Sequence, residues 1–564
     1  KRTPFLGCLL RKQNYAKDYF VKHLLIAAWA MMPLLACSPQ PVATSAAPME
    51  QTTEKPNYRP QGWIAKTLPE IAAGVKAGEV TSEELVQAYI NRINRVDRDG
   101  PTLQSVLSLN PNALADARAA DAKRAAGDTL GLLHGVPILL KDNIETKDPL
   151  ATSAGALALK DNITGRDSPL VAGLRDAGAI ILGKANLSQW ANFRSNDSMS
   201  GWTALGGQVR NPHMLDRNPC GSSSGSGAGA ASSMAAGTVG TETNGSVICP
   251  SNANGVVGFK PTVGLVSQQY IVPISSTQDT AGPMTKSVMG AAMMMNAMAT
   301  GSAKTDYVAA LDQDMLRGKR VGVLRYSTGS NKDINALFEE SLNVLVEAGA
   351  ELVEITENPI QLSEFGQYSL DVLLYEFKAT LNAYLAATPD TVKTRSLAEV
   401  IAFNIENAGI ELALFDQSIF DAAEITSNLD DPRYIAARDT VLKATREEGI
   451  DKLLAEHNVD VLVAPSGPTV PRVDPINGDV WPPFPGSGSM AAIAGYPHIT
   501  VPMGTIHSLS VGFSFMGAKD DDAKVLSYGY AFEQLTNERA EPQYYTNAED
   551  LPDIAAAMRG QKRN

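Results

Sequence analysis

Between Ile64 and Val96 the apolar residues recur at helical spacing, with a break near Gly78. In the second half Leu85, Ala88, Tyr89 and Ile93 share one face, as a period of 3.6 residues requires. Thr81 stands where an N-cap belongs, and Glu84 follows three positions on. That is the capping-box arrangement, which satisfies two orphan amides at a helix start. Residues 111–126 are Ala-rich and also read as helix. After them the period changes. Residues 136–140, 179–182, 320–324 and 459–463 are short continuous apolar runs, separated by helical stretches such as 168–177, 334–348 and 437–457. Strands apolar on both faces, alternating with helices, predict an α/β fold with a mixed β-sheet covered by helices on both faces. Residues 363–448 read as helix-rich and nearly free of motifs, either a cap over the sheet or more outer-layer helix. Nothing in composition divides 61–564, so this stretch reads as a single large domain.

The beginning of the chain follows another pattern. Lys17 and Lys22 precede an uninterrupted 12-residue apolar run at 24–35. A membrane-crossing helix takes about 20 residues, whereas a basic flank and a run of this length fit the hydrophobic region of a signal peptide. The run ends in Leu34-Leu35-Ala36-Cys37, which resembles the lipobox of bacterial lipoproteins, whose Cys is acylated and becomes the new N-terminus. Residues 1–36 are expected to be a signal peptide of that type, with Cys37 lipidated. Residues 37–60, rich in Pro, Ser, Thr and Ala, read as a disordered tether.

Charge narrows the partners. The 564 residues hold 61 acidic and 48 basic side chains, a net charge of −13. Cleavage before Cys37 would remove six basic residues and one acid, leaving a more acidic chain. Such a chain lacks the basic face with which a protein displaces counterions, so no nucleic-acid partner is expected. Membrane attachment falls to the lipid anchor alone. The hydrophobic share of 44% and charged share of 19% are ordinary for a globular protein. Four Cys exclude a disulfide-dense scaffold. The six His fall in no zinc-binding spacing, so no metal is expected. No organic cofactor is implied, and the sequence sets no oligomeric state.

The chemistry gathers at residues 218–251, NPCGSSSGSGAGAASSMAAGTVGTETNGSVICPS. A Gly/Ser stretch can be a flexible linker. This one contains a helix-like run of small apolar residues at 228–236 and a β-like Thr238-Val239-Gly240, followed by GVVGF at 255–259. Small residues at this density let backbones approach closely. Gly221 to Gly225 also satisfies G-x-S-x-G with Ser223 at its centre, and His457, His498 and His507 lie downstream, in the chain order of an α/β-hydrolase. That elbow follows an apolar strand, however, and Arg217-Asn218-Pro219-Cys220 is none.

GSSSGSG at 221–227, GTETNGS at 240–246 and GVVGFKPTVG at 255–264 do not stand alone. Upstream lie GVPILLKDN at 135–143, GAIILGKANLSQW at 178–190 and RNP at 210–212; downstream lie TQDTAGPM at 277–284, VLVAPSGP at 461–468 and AGYPHITVPMG at 494–504. Together, in this order, they resemble the amidase signature family, the Ser–cis-Ser–Lys hydrolases, across nearly the whole body. The resemblance implies Ser246 as nucleophile, Ser222 as the bridging serine 24 residues before it, and Lys141 as base. It implies an oxyanion hole from the backbone amides of Thr243, Asn244, Gly245 and Ser246. Many relatives have Gly where Asn244 stands. It further implies a cis peptide bond at the bridging serine, which Gly221 would ease sterically. Ser223 would support the hole or the relay, Asp142 and Asn143 would orient the Lys141 loop, and Lys184 would be structural or ion-paired.

These residue types suit the task. A serine hydroxyl is a weak nucleophile and needs a base within hydrogen-bond reach. Lysine serves only when neutral; its ordinary pKa is about 10.4, so burial must lower it by several units. Leu139 and Leu140 supply an apolar setting. Losing one oxyanion donor typically costs about 3 kcal/mol. Cys220 and Cys249 flank the two serines and are expected to be two small buried thiols, with a disulfide as the alternative.

In style the motifs resemble the bacterial peptide amidase branch, which hydrolyses the C-terminal carboxamide of peptides to acid and ammonia. Other branches act on fatty acid, aryl or malonic amides and urea derivatives. The cytosolic glutamine-amidotransferase branch is disfavoured by the export signal. A small-molecule or peptide amide is therefore the expected substrate, its pocket lined by 363–450 and the loops around Trp481 and Phe484. A tethered binding protein that kept the fold without activity is the competing reading, because fold alone does not give function; Ser222, Ser246 and Lys141 are all present.

Overall fold

The structure is a computed structural model and describes residues 57–560. The expected signal peptide and Cys37 lie outside the described residues, as does most of the tether. Its last four residues, 57–60, are held against the body. Arg92 and Arg95 donate to the carbonyls of Tyr58 and Asn57, and the Tyr58 ring packs edge-on against Tyr544.

Two capping boxes open the body. Helices α1 (Leu68–Ala77) and α2 (Ser82–Ile93) each begin at a Thr whose amide is accepted by a Glu three residues on. Between them Gly78 ends α1 at φ 76°. Helix α3 (Ala113–Ala125) follows strand β1 (Val106–Leu109). Then come β2 (Pro137–Lys141), helix α4 (Pro169–Asp176) and β3 (Ile180–Ala185), close to the expected positions. A small separate ribbon pairs β4 (Trp202–Thr203) with β5 (Gly207–Gln208). Beyond it lie helix α5 (Ser224–Ala231), β6 (Gly237–Glu242), helix α6 (Ile248–Asn254), β7 (Val257–Lys260) and β8 (Thr280–Thr285). The chain continues through helix α7 (Val288–Met298), β9 (Arg320–Leu324), helix α8 (Lys332–Glu347), β10 (Glu351–Ile355) and the long helix α9 (Phe365–Ala386). The last strands are β11 (Val461–Pro465), β12 (His498–Ile506) and β13 (Leu509–Met516).

Eleven strands form one sheet in the order β1-β3-β2-β6-β8-β7-β12-β13-β11-β9-β10. It is mixed: β3, β2 and β6 run parallel, as do β11, β9 and β10, and the strands between are antiparallel. Successive strand residues point to opposite faces. In β2, β3, β6, β7, β8, β11 and β13 every residue is buried, so both faces are covered, as an α/β fold requires. The core holds Ile138, Leu140, Val239, Phe259, Phe513 and Phe515.

The 363–448 stretch is helical and builds a core of its own. Phe377, Leu381, Leu397 and Phe420 pack there against Trp190, Phe193, Val272 and Ile274. Two expected helices shift. The 437–457 stretch is not continuous: a helix at Pro432–Thr445 gives way to a wider turn at Arg446–Ile450 and then Asp451–Glu456. Gly449 leaves helical geometry there, with φ −106° and ψ −109°. The run expected at 228–236 forms four residues earlier, as α5, and ends before Ser233, whose φ is 58°. Among the described residues no helix is long and apolar enough to cross a membrane.

Candidate active site

Lys141 is the last residue of β2, and its parallel neighbour β6 ends at Glu242. The carboxyl ends of adjacent parallel strands are where open α/β sheets place their ligands. Here they carry Lys141 and the turn 243–246. Lys141 is wholly buried, as are Leu139 and Leu140 before it. Its Nζ lies 2.7 Å from Ser222 Oγ, 2.8 Å from Thr241 Oγ1 and 3.2 Å from the Thr241 carbonyl. Asn143 Nδ2 donates to the same Thr241 hydroxyl at 2.9 Å. Burial brings the Lys141 amine down to about 7, against the opposing charges of Asp279 and Glu242.

Ser222 is also wholly buried and follows a cis peptide bond from Gly221. A Cβ at Gly221 would stand 2.1 Å from Ser188 Oγ, so a side chain there would force Ser188 to move. Ser223 does not face a histidine. Its hydroxyl donates to the Thr241 carbonyl and accepts from the Thr241 amide, each at 3.1 Å, which seals α5 onto β6. His498 bonds Ser514 and is held by burial down at about 3. The G-x-S-x-G alternative therefore loses both its strand and its base.

The turn after β6 is closed by Glu242, whose Oε2 accepts from the amides of Val247 and Ile248 at 2.8 and 3.0 Å. Gly245 takes φ 85°, a conformation open to glycine at no cost. Among the described residues, the amides of Thr243, Asn244, Gly245 and Ser246 have no hydrogen-bond acceptor. The Asn244 side chain turns away and accepts from Ser489 Oγ at 3.1 Å. Ser246 is half-buried, and its hydroxyl bonds no other described residue. Ser223 N–H donates to the Ser246 carbonyl at 3.2 Å, which brings the two serine segments side by side.

Two expectations change here. Cys220 and Cys249 are not free thiols; they form a disulfide with Cα atoms 5.9 Å apart. The tight Ser223–Ser246 backbone contact brings their main chains within bridging range. The second change concerns the pocket. A cavity of about 400 Å³ opens beside Asn143, Thr241 and Thr243. Its walls come from 268–276, from Thr380, Ala383 and Tyr384 of α9, and from Ala387 just past its end. Trp481 instead packs near the disulfide, and Phe484 against the main core.

The supporting residues divide. Lys184 is buried and satisfied by the Ile144 carbonyl at 2.6 Å, Thr152 Oγ1 at 3.0 Å and Asp142 at 3.5 Å, an ion-paired structural lysine. Asp142 also holds Ser153. Sequence reasoning assigned no role to Thr241, Glu242, Gln278 or Asp279, although all four lie inside the quoted motifs.

The family profile described as Amidase matches residues 84–526. A probable amidase of Arabidopsis thaliana is 37% identical, covering 85% of this chain and 91% of its own length. Among solved structures, the native peptide amidase of Stenotrophomonas maltophilia is 45% identical with a TM-score of 0.80, covering 85% of this chain and 98% of that one. A peptide amidase in complex with the competitive inhibitor chymostatin is 46% identical with a TM-score of 0.81, covering 85% and 99%. The chain belongs to the amidase signature family. It is an amidase, a hydrolase of carbon–nitrogen bonds.

Proposed function

We propose that the enzyme hydrolyses the terminal carboxamide of peptides through Ser246, Ser222 and Lys141, releasing ammonia. The observation that carries the mechanism is the setting of Lys141. A neutral amine has two N–H bonds and one lone pair. Thr241 offers its hydroxyl and carbonyl oxygens to the two N–H bonds, and the lone pair is left for the Ser222 hydroxyl. With the amine near 7, a useful fraction is neutral at physiological pH.

The steps follow. Ser246 Oγ attacks the amide carbonyl while its proton passes to Ser222, whose own proton passes to Lys141. The negative oxygen settles among the unpaired amides of 243–246. On collapse the proton returns to the departing nitrogen, ammonia leaves, and Ser246 holds the acyl group. Water then attacks by the same relay, giving the carboxylic acid and restoring Ser246.

The cavity supports the acyl side of this reading. Ala191, Ile271, Val272 and Ile274 line it with apolar surface. Its one arginine, Arg166, is occupied by Glu145 and lies 4.0 Å over the Tyr270 ring. An uncharged acyl group with an apolar side chain fits such walls. The likeness to two peptide amidase structures, at 45% and 46% identity, favours a peptide over a fatty acid or aryl amide.

The test is ammonia release from C-terminally amidated peptides, a fatty acid amide, an anilide and an aliphatic amide. Turnover is expected on the peptide amides and should vanish in Ser246→Ala and Lys141→Ala. Near wild-type turnover in Lys141→Ala would overturn the mechanism, and preference for another amide would overturn the substrate. The same proposal keeps the enzyme outside the cytoplasm, anchored through Cys37; a Cys220–Cys249 disulfide supports an oxidising setting.

A further inference from the structure

Asp279 stands one residue before β8, opposite Thr243, because β6 and β8 pair antiparallel with Glu242 facing Thr280. Both of its oxygens are occupied. Oδ1 accepts from Thr243 Oγ1 at 2.6 Å, and Oδ2 accepts from the amides of Ile274 and Ser275 at 2.8 and 3.0 Å. Beside it Gln278 Nε2 donates to the Thr243 carbonyl at 3.2 Å, so Thr243 is gripped by side chain and main chain together. A second carboxylate holds the far side of the same loop. Glu376 on α9 is wholly buried and accepts from Ser275 Oγ and, at 3.1 Å each, from the amide and hydroxyl of Thr277. Its other oxygen accepts from Tyr434 at 2.8 Å. The loop is strung between the helical cap on one side and the end of β6 on the other, and Ile274, Ser275 and Asp279 form part of the cavity wall.

We propose that Asp279 is a positioning residue for amide hydrolysis: it fixes Thr243, and with it the amides of the 243–246 turn, to the cavity wall, which Glu376 in turn fixes to the cap. The inference rests on Ser246 being the nucleophile. Hydrogen bonds to a carboxylate are about twice as strong as neutral ones, so three on one group make a stiff joint. Stiffness is what an oxyanion site needs, since it acts only when its donors are aimed before the charge develops. Burial, helped by the nearby Glu376, pushes the Asp279 carboxyl up to about 6, while its three donors oppose the rise. Its charge in turn holds the Lys141 amine up, as does that of Glu242. The charged groups that act on this pair are thus Glu376 from the cap and Glu242 from β6.

Phosphonylation of Ser246 by a fluorophosphonate, followed by intact mass across pH, tests this without knowledge of the amide. Wild type is compared with Asp279→Asn, Thr243→Val and Glu376→Gln, with melting curves to show that each is folded and peptide-amide hydrolysis run in parallel. Asp279→Asn and Thr243→Val are both expected to label about 10- to 100-fold more slowly, the cost of a misplaced reacting geometry. Only Asp279→Asn should also move the acid limb to lower pH, because only it removes a negative charge from beside Lys141. Glu376→Gln should raise KM more than it lowers kcat. Labelling of Asp279→Asn at the wild-type rate with an unmoved acid limb overturns the proposal. So does slow labelling of Asp279→Asn with Thr243→Val at the wild-type rate, which would mark a packing role only. A wild-type Ser246 that does not label overturns the nucleophile assignment and this clamp with it. A labelled enzyme that spares peptide amides overturns the substrate alone, and the clamp is still decided by the labelling rates.

Discussion

Three buried lysines show how environment decides the work of one residue type. Lys184 has a carboxylate at 3.5 Å and two oxygens of neighbouring residues within 3.0 Å, a structural setting, while burial lowers its amine. Lys260 is held down to about 8 by burial and finds only a carbonyl at 3.2 Å. Lys141 has a serine and a threonine in reach and comes down to about 7. In the proposed mechanism catalysis needs its neutral form, so kcat/KM should rise about tenfold per pH unit below the amine's titration and level off above about 7. A flat profile across that limb would remove Lys141 as the base. The same group leaves a mark on stability. The unfolded chain keeps the proton until about 10.4, whereas the folded chain releases it near 7. Between these values the unfolded state binds more protons, so stability rises with pH. In Lys141→Met that slope should fall by about one proton, ~1.4 kcal/mol per pH unit, in urea unfolding over mildly alkaline pH. The three positions of the proposed relay stood out in the sequence because each sits in its own motif. Thr241 did not, because a threonine at a strand end carries no signal until another strand brings an amine to it.

At the scale of elements, the Gly/Ser/Ala belt explains itself by packing. Every residue of α5 is buried, and several have backbone where a side chain would go. A Cβ on Gly225 would strike the carbonyls of Ser105 and Asn186, and one on Gly227 would stand 2.9 Å from the Pro250 carbonyl. Gly229 differs: its nearest neighbour would be a Leu139 methyl at an ordinary 3.7 Å. Gly225→Ala should therefore destabilise the enzyme by about 1–3 kcal/mol. Gly229→Ala should be neutral or stabilising, by up to about 1 kcal/mol, since Ala is the better helix former. Thermal melts of the two variants decide the matter; equal losses would show that small size is not required position by position. Composition marked this segment as close-packed but misplaced its helix by four residues, because Ala, Gly and Ser carry no amphipathic period. The cap helices were visible as helices, whereas the break at Gly449 depended on the Ala444 carbonyl, which a Cβ there would approach to 2.7 Å.

At the scale of the whole molecule, the proposed export and the observed disulfide are one prediction. Full-length protein made in a lipoprotein-processing host should partition with membranes and resist alkylation at Cys220 and Cys249 unless reduced. Cys37→Ser should leave the disulfide in place and lose the membrane association; a variant still membrane-bound after fractionation would overturn the anchor. By itself the sequence determined the α/β class, the strand runs buried on both faces and the capping box at Thr81, and it marked Lys141, Ser222 and Ser246 as the motif residues on which the proposed mechanism rests. All of these are encoded locally, in apolar period, in turn chemistry, or in short ordered motifs. Tertiary structure alone decided the rest: that Cys220 meets Cys249, that Trp481 and Phe484 pack elsewhere than in the cavity wall, and that Thr241, Asp279 and Glu376 surround the site. Each of those facts is a distance between segments far apart in the chain. It depends on which strands become neighbours in an eleven-stranded sheet, a choice made by the packing of the whole core rather than by any one stretch of residues.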